Sequence, residues 1–170
     1  MNIPIQKLSR LGSPSGSLVA RLFLALVIFP HGAQKVLGWF GGYGLSGTLK
    51  YFNETLHIST PFALLAFAAE FLGPLALLVG FGSRVAALGV ALTMAVALKF
   101  HLAQGFFMNW YGNQPGEGFE YHLLVIGLAL VVLIQGSGRY SVDGLVAHRS
   151  ESAAVEKLAP SPVFPNSKLV

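Results

Sequence analysis

Hydrophobic positions along the chain form four long stretches, separated by polar segments rich in Gly, Pro and Ser. The stretches cover residues 17–38, 61–81, 84–104 and 119–135. Each is close to the length of about 20 residues that an α-helix needs to cross a bilayer. Because a helix satisfies all its backbone hydrogen-bonding groups in lipid, the pattern predicts an all-α protein built as a four-helix transmembrane bundle.

Composition agrees with a membrane protein. Of the 170 residues, 54% are hydrophobic and 11% are charged, compared with about 25% charged residues in a soluble domain. The chain has no Cys, so disulfides, thiolate metal sites and thiol redox chemistry are excluded. The net charge of +4 lies in flanks and loops without a basic cluster, so we expect lipid and not nucleic acid as a partner.

The positive charges predict the topology. Basic residues lie before or at the start of the first stretch, occupy the short second link and follow the fourth stretch: Lys7, Arg10, Arg21, Arg84, Arg139, His148, Arg149 and Lys157. By the positive-inside rule, both termini are cytoplasmic and loop 39–60 is external. We therefore divide the chain into a cytoplasmic lead (1–16), a four-span membrane domain (17–147) and a disordered cytoplasmic tail (148–170). The first stretch lacks a cleavage site and is interpreted as an uncleaved span.

The external loop 39–60 permits two interpretations. Leu49, Phe52 and Leu56 share one face of a short helix that Ser46 is placed to cap. Such a helix would lie in the membrane interface. The alternative is an irregular exposed loop.

Polar residues interrupt every apolar stretch. They are His31, Gln34 and Lys35 in the first, Glu70 in the second, Lys99, His101 and Gln104 in the third, and Glu120 and His122 in the fourth. A charge inside a bilayer costs about 2.5–3.5 kcal/mol on insertion scales. At a rise of 1.5 Å per residue, most of these residues lie roughly 20–28 Å from the inner ends. They also share helix faces with small residues, which predicts one polar site in the outer half of the membrane. Lys99 lies about 160° from His101 around its helix and is expected to snorkel.

Structural explanations compete with a functional one. Glu70 is equally suited to lock the bundle as a partner of Lys35 or His31, and the histidines to form interhelical hydrogen bonds. A metal site from His31, His101, Glu70 and Glu120 is conceivable, but the Glu-x-x-His step of di-iron bundles is missing. No metal is therefore expected. The His-x-x-Gln step in the first and third stretches, each followed by a carboxylate in the next, suggests either two parallel repeats or coincidence.

Several motifs, in their order and spacing, resemble the DoxX family of small four-helix membrane proteins. They lie at residues 31–35 (HGAQK), 70–73 (EFLG), 80–84 (GFGSR), 105–107 (GFF), Glu120 and 136–143 (GSGRYSVD). The resemblance covers residues 17–145 and implies a multi-pass helical bundle in the inner membrane. The family includes subunits linked to thiosulfate:quinone oxidoreduction, and many members carry only a provisional oxidoreductase label. The absence of Cys argues against a sulfur relay on this chain.

The first functional hypothesis is a quinone-linked oxidoreductase, or a membrane subunit of one. The quinone-binding candidates are His31, Gln34, Lys35, Glu70, His101, Gln104 and Glu120, with Phe67, Phe71, Phe100 and Phe106 as ring walls. Among them, Glu70 and Glu120 are the candidates for a proton relay.

The hypothesis needs an electron source, because the chain encodes no cofactor. Quinone is the cofactor it invokes, and electrons would come from a redox partner subunit or from the substrate. A homo-oligomer is compatible with this interpretation. The alternative is a small proton- or ion-coupled transporter subunit, or a membrane assembly factor without catalysis, so the sequence leaves enzymatic activity open.

Overall fold

A computed structural model describes residues 15–158, and the remainder of the predicted lead and tail lies outside the described residues. The described segment is helical and contains no strand. Its α-helices are α1 (Ser15–Leu37), α2 (Gly44–Glu54), α3 (Thr60–Val79), α4 (Ser83–His101), α5 (Glu120–Gln135) and α6 (Val142–Leu158). Single 3₁₀ turns follow α1 at Trp39–Gly41 and α4 at Leu102–Gln104.

Four apolar helices form the bundle. Helix α1 packs on α3, α3 on α4, α4 on α5, and α5 closes the ring against α1. Three of them are long and apolar enough to span a membrane, over Gly16–Leu37, Thr60–Val79 and Ser83–Gln104. Helix α5 is equally apolar but has 16 residues, or about 24 Å of helix. The predicted all-α bundle is confirmed, with each helix within about two residues of its predicted range except that α4 ends in a 3₁₀ turn.

Four crossings return the chain to the side on which it started. We call the end of the bundle where α1 and α4 begin the inner end, and the opposite end the outer end. The inner end carries Arg21, Arg84 and Arg139 and is the predicted cytoplasmic side. Its assignment to the cytoplasm stays a prediction.

Small side chains fill the helix contacts. Ala33, Ala63, Ala87 and Ala129, one from each bundle helix, are completely buried. Lipid tails are as apolar as Leu, so close packing of small residues, not removal of apolar surface from water, holds membrane helices together. The large apolar side chains of the same helices accordingly point outward, with Leu26 and Phe62 both more than two-thirds exposed.

The tightest helix contact joins α1 to α3 at Gly32. A Cβ atom added to Gly32 would lie 2.1 Å from the carbonyl oxygen of Glu70. Pro74 has no N–H, so this carbonyl lacks its usual donor four residues on. Gly32 thus lets α1 cover an exposed polar group of the α3 backbone.

Two connecting segments differ from expectation. Loop 39–60 contains α2, so a helix is confirmed over Gly44–Glu54 and the fully irregular loop is wrong, but Leu56 lies beyond the end of the helix. The position of α2 in the membrane interface stays a prediction. However, α2 begins at Gly44 after Tyr43, which places Ser46 inside the first turn and not at the cap. At the other end, α6 occupies residues up to Leu158. It therefore extends into the segment 148–170 for which a disordered tail is predicted.

We predict that Gly32→Ala destabilises the bundle. The added methyl group collides with backbone atoms that cannot rotate away, and overpacking of this kind typically costs about 1–3 kcal/mol. Gly127→Ala is the matched control, because it adds the same methyl group to α5 where no atom lies within 4 Å. Thermal unfolding in detergent should show a lower midpoint for Gly32→Ala only. Equal midpoints for the two variants would contradict the close approach.

Candidate functional site

An ion pair between α1 and α3 lies at the centre of the outer half. The Nζ atom of Lys35 contacts Oε2 of Glu70. Glu70 is 2% exposed, whereas the Lys35 side chain keeps 27% of its surface accessible. The close approach at Gly32 brings the two helices near enough for this contact. Of the two partners that the sequence allowed for Glu70, the structure pairs it with Lys35.

Aromatic and imidazole rings continue from this pair across the bundle. The ring of His31 lies 5.8 Å from that of Tyr121, and Tyr121 lies 5.6 Å from His122. The rings of His122 and His101 are 4.6 Å apart. The four rings therefore form a row from α1 through α5 to α4. We call this row together with Lys35 and Glu70 the outer site.

Two polar atoms of this row and one at the outer end of α4 are buried without a hydrogen-bond partner among the described residues. They are the hydroxyl oxygen of Tyr121, Nδ1 of His122 and Oε1 of Gln104. A buried polar group left unpaired costs about 1–3 kcal/mol. Water or a bound ligand that forms hydrogen bonds with these three atoms would remove this cost. The outer site therefore has the chemistry of a binding site.

The remaining predicted residues are held by loops at the margin of the site. Gln34 donates weakly to the carbonyl of Phe40 at 3.4 Å, and Glu120 accepts from the N–H of Met108 at 3.3 Å. His101 contacts the carbonyl of Glu117 through Nδ1 at 2.8 Å. Glu120 is the first residue of α5 and is half-buried, so it lies nearer the outer surface than Glu70.

Four of the predicted residues, His31, Lys35, Glu70 and His101, lie in the outer site. Lys99 is exposed, as expected for a snorkelling side chain. Tyr121 and His122 are the residues that the candidate list omitted. Their one sequence signal is a polar triplet with Glu120 at the start of an otherwise apolar helix.

The predicted aromatic walls are dispersed among other contacts. Phe67 packs edge-on against Phe52 of α2 at 5.0 Å, and Phe71 stacks on Phe29 of α1 at 5.6 Å. Phe106 contacts aromatic neighbours in its own loop. Two of the unpaired polar atoms belong to the row of rings itself, on Tyr121 and His122, and none of these three phenylalanines stacks on that row.

A second polar cluster holds the inner end. The side chain of Arg21 is fully buried. It donates to the carbonyl of Leu77 at 2.9 Å and to the carbonyl of Tyr140 at 2.6 Å. Arg21 is therefore more than a topology signal, and its position inside an apolar stretch is the sequence feature that indicates a buried role.

Asp143 completes this inner cluster. Its carboxylate accepts hydrogen bonds from the N–H groups of Gly82 and Ser83 at 2.9 and 3.2 Å, and from the Ser137 hydroxyl. Burial raises the pKa of Asp143, but these hydrogen bonds and the charge of Arg21 outweigh it and hold the pKa below its usual value. We call Arg21, Ser137 and Asp143, with the Gly82–Ser83 backbone, the inner clasp.

Comparison with known proteins identifies the family. The DoxX family model matches residues 16–109. The chain belongs to the DoxX family. It is also 31% identical over 132 residues to the inner membrane protein YqjF of Escherichia coli strain K12, which covers 77% of this chain and 92% of that protein. An uncharacterized protein of Haemophilus influenzae is 26% identical over 147 residues, 82% of this chain and 89% of that protein.

No solved structure matches the chain. This DoxX protein, with its several apolar helices and its inner-membrane relative, is a multi-pass protein of the inner membrane. The matched segment runs from α1 to the loop after α4. It includes Lys35, Glu70 and His101, whereas Tyr121 and His122 lie beyond its end.

For this DoxX protein we predict that Lys35→Met destabilises the fold more than Glu70→Gln does. Lys35→Met leaves a buried carboxylate unpaired, at a cost of about 3 kcal/mol, the lower end of the range for a broken buried pair because Lys35 is itself partly exposed. The lysine left by Glu70→Gln is partly exposed and can reach water. Thermal unfolding in detergent should give a lower midpoint for Lys35→Met than for Glu70→Gln. The variant that carries both changes should have a higher midpoint than Lys35→Met alone. Lys99→Met, which removes an exposed lysine, is the control; a similar loss there would refute the explanation.

We further predict that the inner clasp weakens at acidic pH. Because the folded-state pKa of Asp143 is lowered, its carboxylate stabilises the fold above the unfolded-state pKa of about 3.9. That contribution disappears as the pH falls through the folded-state pKa. Asp143→Asn should therefore lower the unfolding midpoint at pH 7, and the difference from wild type should shrink towards pH 3. Glu54→Gln, at an exposed carboxylate, should give no such pH-dependent difference.

Proposed function

We propose that this DoxX protein binds a quinone at the outer site and acts as an oxidoreductase or as the membrane subunit of one. The observation that carries the proposal is the set of buried, unpaired polar atoms on Tyr121, His122 and Gln104. They lie in a membrane-spanning bundle, so we expect a ligand that pairs with them to be soluble in lipid. A quinone combines an apolar ring with two carbonyl oxygens that accept hydrogen bonds.

The unpaired atoms suit both redox forms of such a ligand. The Tyr121 hydroxyl and a protonated Nδ1 of His122 would donate to quinone carbonyls. In the reduced form, the hydroxyl groups of the quinol would donate to Oε1 of Gln104. The site therefore offers partners on both sides of the reaction.

Reduction of a quinone consumes two electrons and two protons. The row of His31, Tyr121, His122 and His101 supplies titratable groups from the buried ion pair to the outer loop. His101 is half-exposed and contacts the carbonyl of Glu117 in the outer loop, so protons from outside would enter the row at this residue. Glu70, paired with Lys35, is the buried group that would pass a proton to the ligand. The electrons come from a two-electron donor, either in a partner subunit or as the substrate itself.

The same row favours a second candidate, proton-coupled transport. A buried carboxylate linked by titratable groups to one surface is a common arrangement in proton-driven transporters. In this case Glu70 would change protonation during transport, and no quinone would bind. The two candidate functions differ in the ligand that binds, and one set of variants distinguishes them.

We predict that Tyr121→Phe weakens quinone binding about tenfold without lowering stability, because the hydroxyl has no hydrogen-bond partner within the described residues. The change removes one hydroxyl group, and loss of one hydrogen bond in a buried site corresponds to roughly this factor. Tyr111→Phe is the matched control, because Tyr111 is 91% exposed in the loop between α4 and α5. Binding of a soluble short-chain quinone to the purified protein, followed by fluorescence quenching, provides the measurement.

The quinone proposal fails if wild-type protein does not bind the quinone, or if both tyrosine variants bind it equally well. Glu70→Gln and His31→Ala then test the second candidate in proteoliposomes. Loss of proton-dependent flux in these variants, with no quinone binding in wild type, would establish transport instead.

A further inference from the structure

A cavity at the inner end lies well away from the outer site. It has a volume of about 350 Å³ and opens between the start of α4, the turn after α5 and the first turns of α6. The residues that matter for its chemistry are Arg84, Val85, Gly136, Asp143 and Ala147. The proposed quinone chemistry makes no use of this cavity.

Arg84 supplies this cavity with an accessible positive charge. The guanidinium lies against Gly136, where an added Cβ would be 3.4 Å from its Nε and Nη2 atoms. Among the described residues it makes one hydrogen bond, a long contact of 3.4 Å from Nη2 to the carbonyl of Ile134. Since a guanidinium carries five N–H donors, most of its capacity is free for a ligand.

The other charges around the cavity leave it positive. Asp143 lines the cavity, but its carboxylate already binds the N–H groups of Gly82 and Ser83 and faces Arg21. The charges of Arg21 and Asp143 therefore offset each other. Arg84 has no carboxylate partner among the side chains that the structure describes, at residues 16–150, and Arg139 on the adjacent turn is exposed. The cavity thus favours an anion.

An apolar surface continues from the cavity into the membrane. Val85 is 78% exposed beside Arg84, and Leu88 and Leu92 are exposed at the next turns of the same face of α4. On the neighbouring helix α5, Ile134 is exposed and Gly127 leaves open space above its backbone. An acyl chain can lie along this surface while its headgroup occupies the cavity.

Helix α6 places the cavity at the level of lipid headgroups. Leu145 and Val146 are exposed apolar residues in its first turns, and His148 and Arg149 follow them. A helix with this mixture lies at the boundary between headgroups and acyl chains, where basic residues meet anionic lipid. Ala147 lies between the apolar pair Leu145–Val146 and the basic pair His148–Arg149, and it lines the cavity.

We propose that the inner-end cavity binds the phosphate of an anionic glycerophospholipid through Arg84, with an acyl chain along the exposed faces of α4 and α5. A free phosphate ion shares the headgroup chemistry but has no use for the apolar surface. The lipid is therefore the occupant that the charge and the apolar contacts both favour.

Native mass spectrometry of the delipidated full-length protein tests this proposal with phosphatidylglycerol as the probe. We expect wild type to retain one phosphatidylglycerol, and Arg84→Gln to bind it about tenfold more weakly, as for loss of a charge-assisted hydrogen bond. Lys99→Gln, which removes an exposed cation near the other end of α4, should bind as wild type does. Equal retention by Arg84→Gln and wild type would overturn the proposal.

Two further arms separate a lipid from other ligands. Diacylglycerol, which lacks the phosphate, should bind weakly, and inorganic phosphate should not displace phosphatidylglycerol at equal concentration. Retention of diacylglycerol as tight as that of phosphatidylglycerol excludes phosphate recognition, and displacement by inorganic phosphate excludes a lipid site.

A second variant tests the same cavity in case Arg84→Gln does not fold. Ala147→Trp fills the cavity from α6 and leaves Arg84 in place. It should also lose the lipid while keeping the wild-type unfolding midpoint in detergent. Undiminished lipid binding by Ala147→Trp would show that the cavity is not the site.

Discussion

The contact between α1 and α3 at Gly32 is the constraint on which the outer half of this protein depends. It lets the two backbones meet where the Glu70 carbonyl has lost its helical donor. The same approach brings Lys35 to the Glu70 carboxylate. A charge that lipid would exclude is thereby neutralised inside the bundle, and the polar residues around it can be retained.

The register of α1 against α3 is fixed by polar contacts at two points. Lys35 binds Glu70 in the outer half, and Arg21 binds the Leu77 carbonyl at the inner end. Between them Gly32 fixes the point of closest approach, whereas the other apolar contacts would by themselves tolerate a shift because lipid offers the same environment as a neighbouring Leu. Directional polar contacts at both ends remove that freedom.

Much of the fold could be predicted from the sequence because hydropathy and helix length are local properties. The partner of Glu70 could not, because His31 and Lys35 lie on the same face of α1 and only packing decides which side chain points at α3. The role of Tyr121 and His122 as ring contacts of the outer site could not be predicted for a similar reason. Their importance comes from the rings of α1 and α4 that the closed bundle places beside them.

The inner clasp shows a further limit of sequence reasoning and links the two ends of the molecule. Arg21 contacts the Tyr140 carbonyl across most of the chain, a pairing that no local pattern indicates. Its effect reaches the outer site because α1 is continuous from Arg21 to Lys35, a distance of roughly 20 Å along the helix. A shift of α1 at its inner end would move His31 relative to Tyr121. The residues that hold the bundle at the inner surface are therefore part of what positions the chemistry in the opposite half of the membrane.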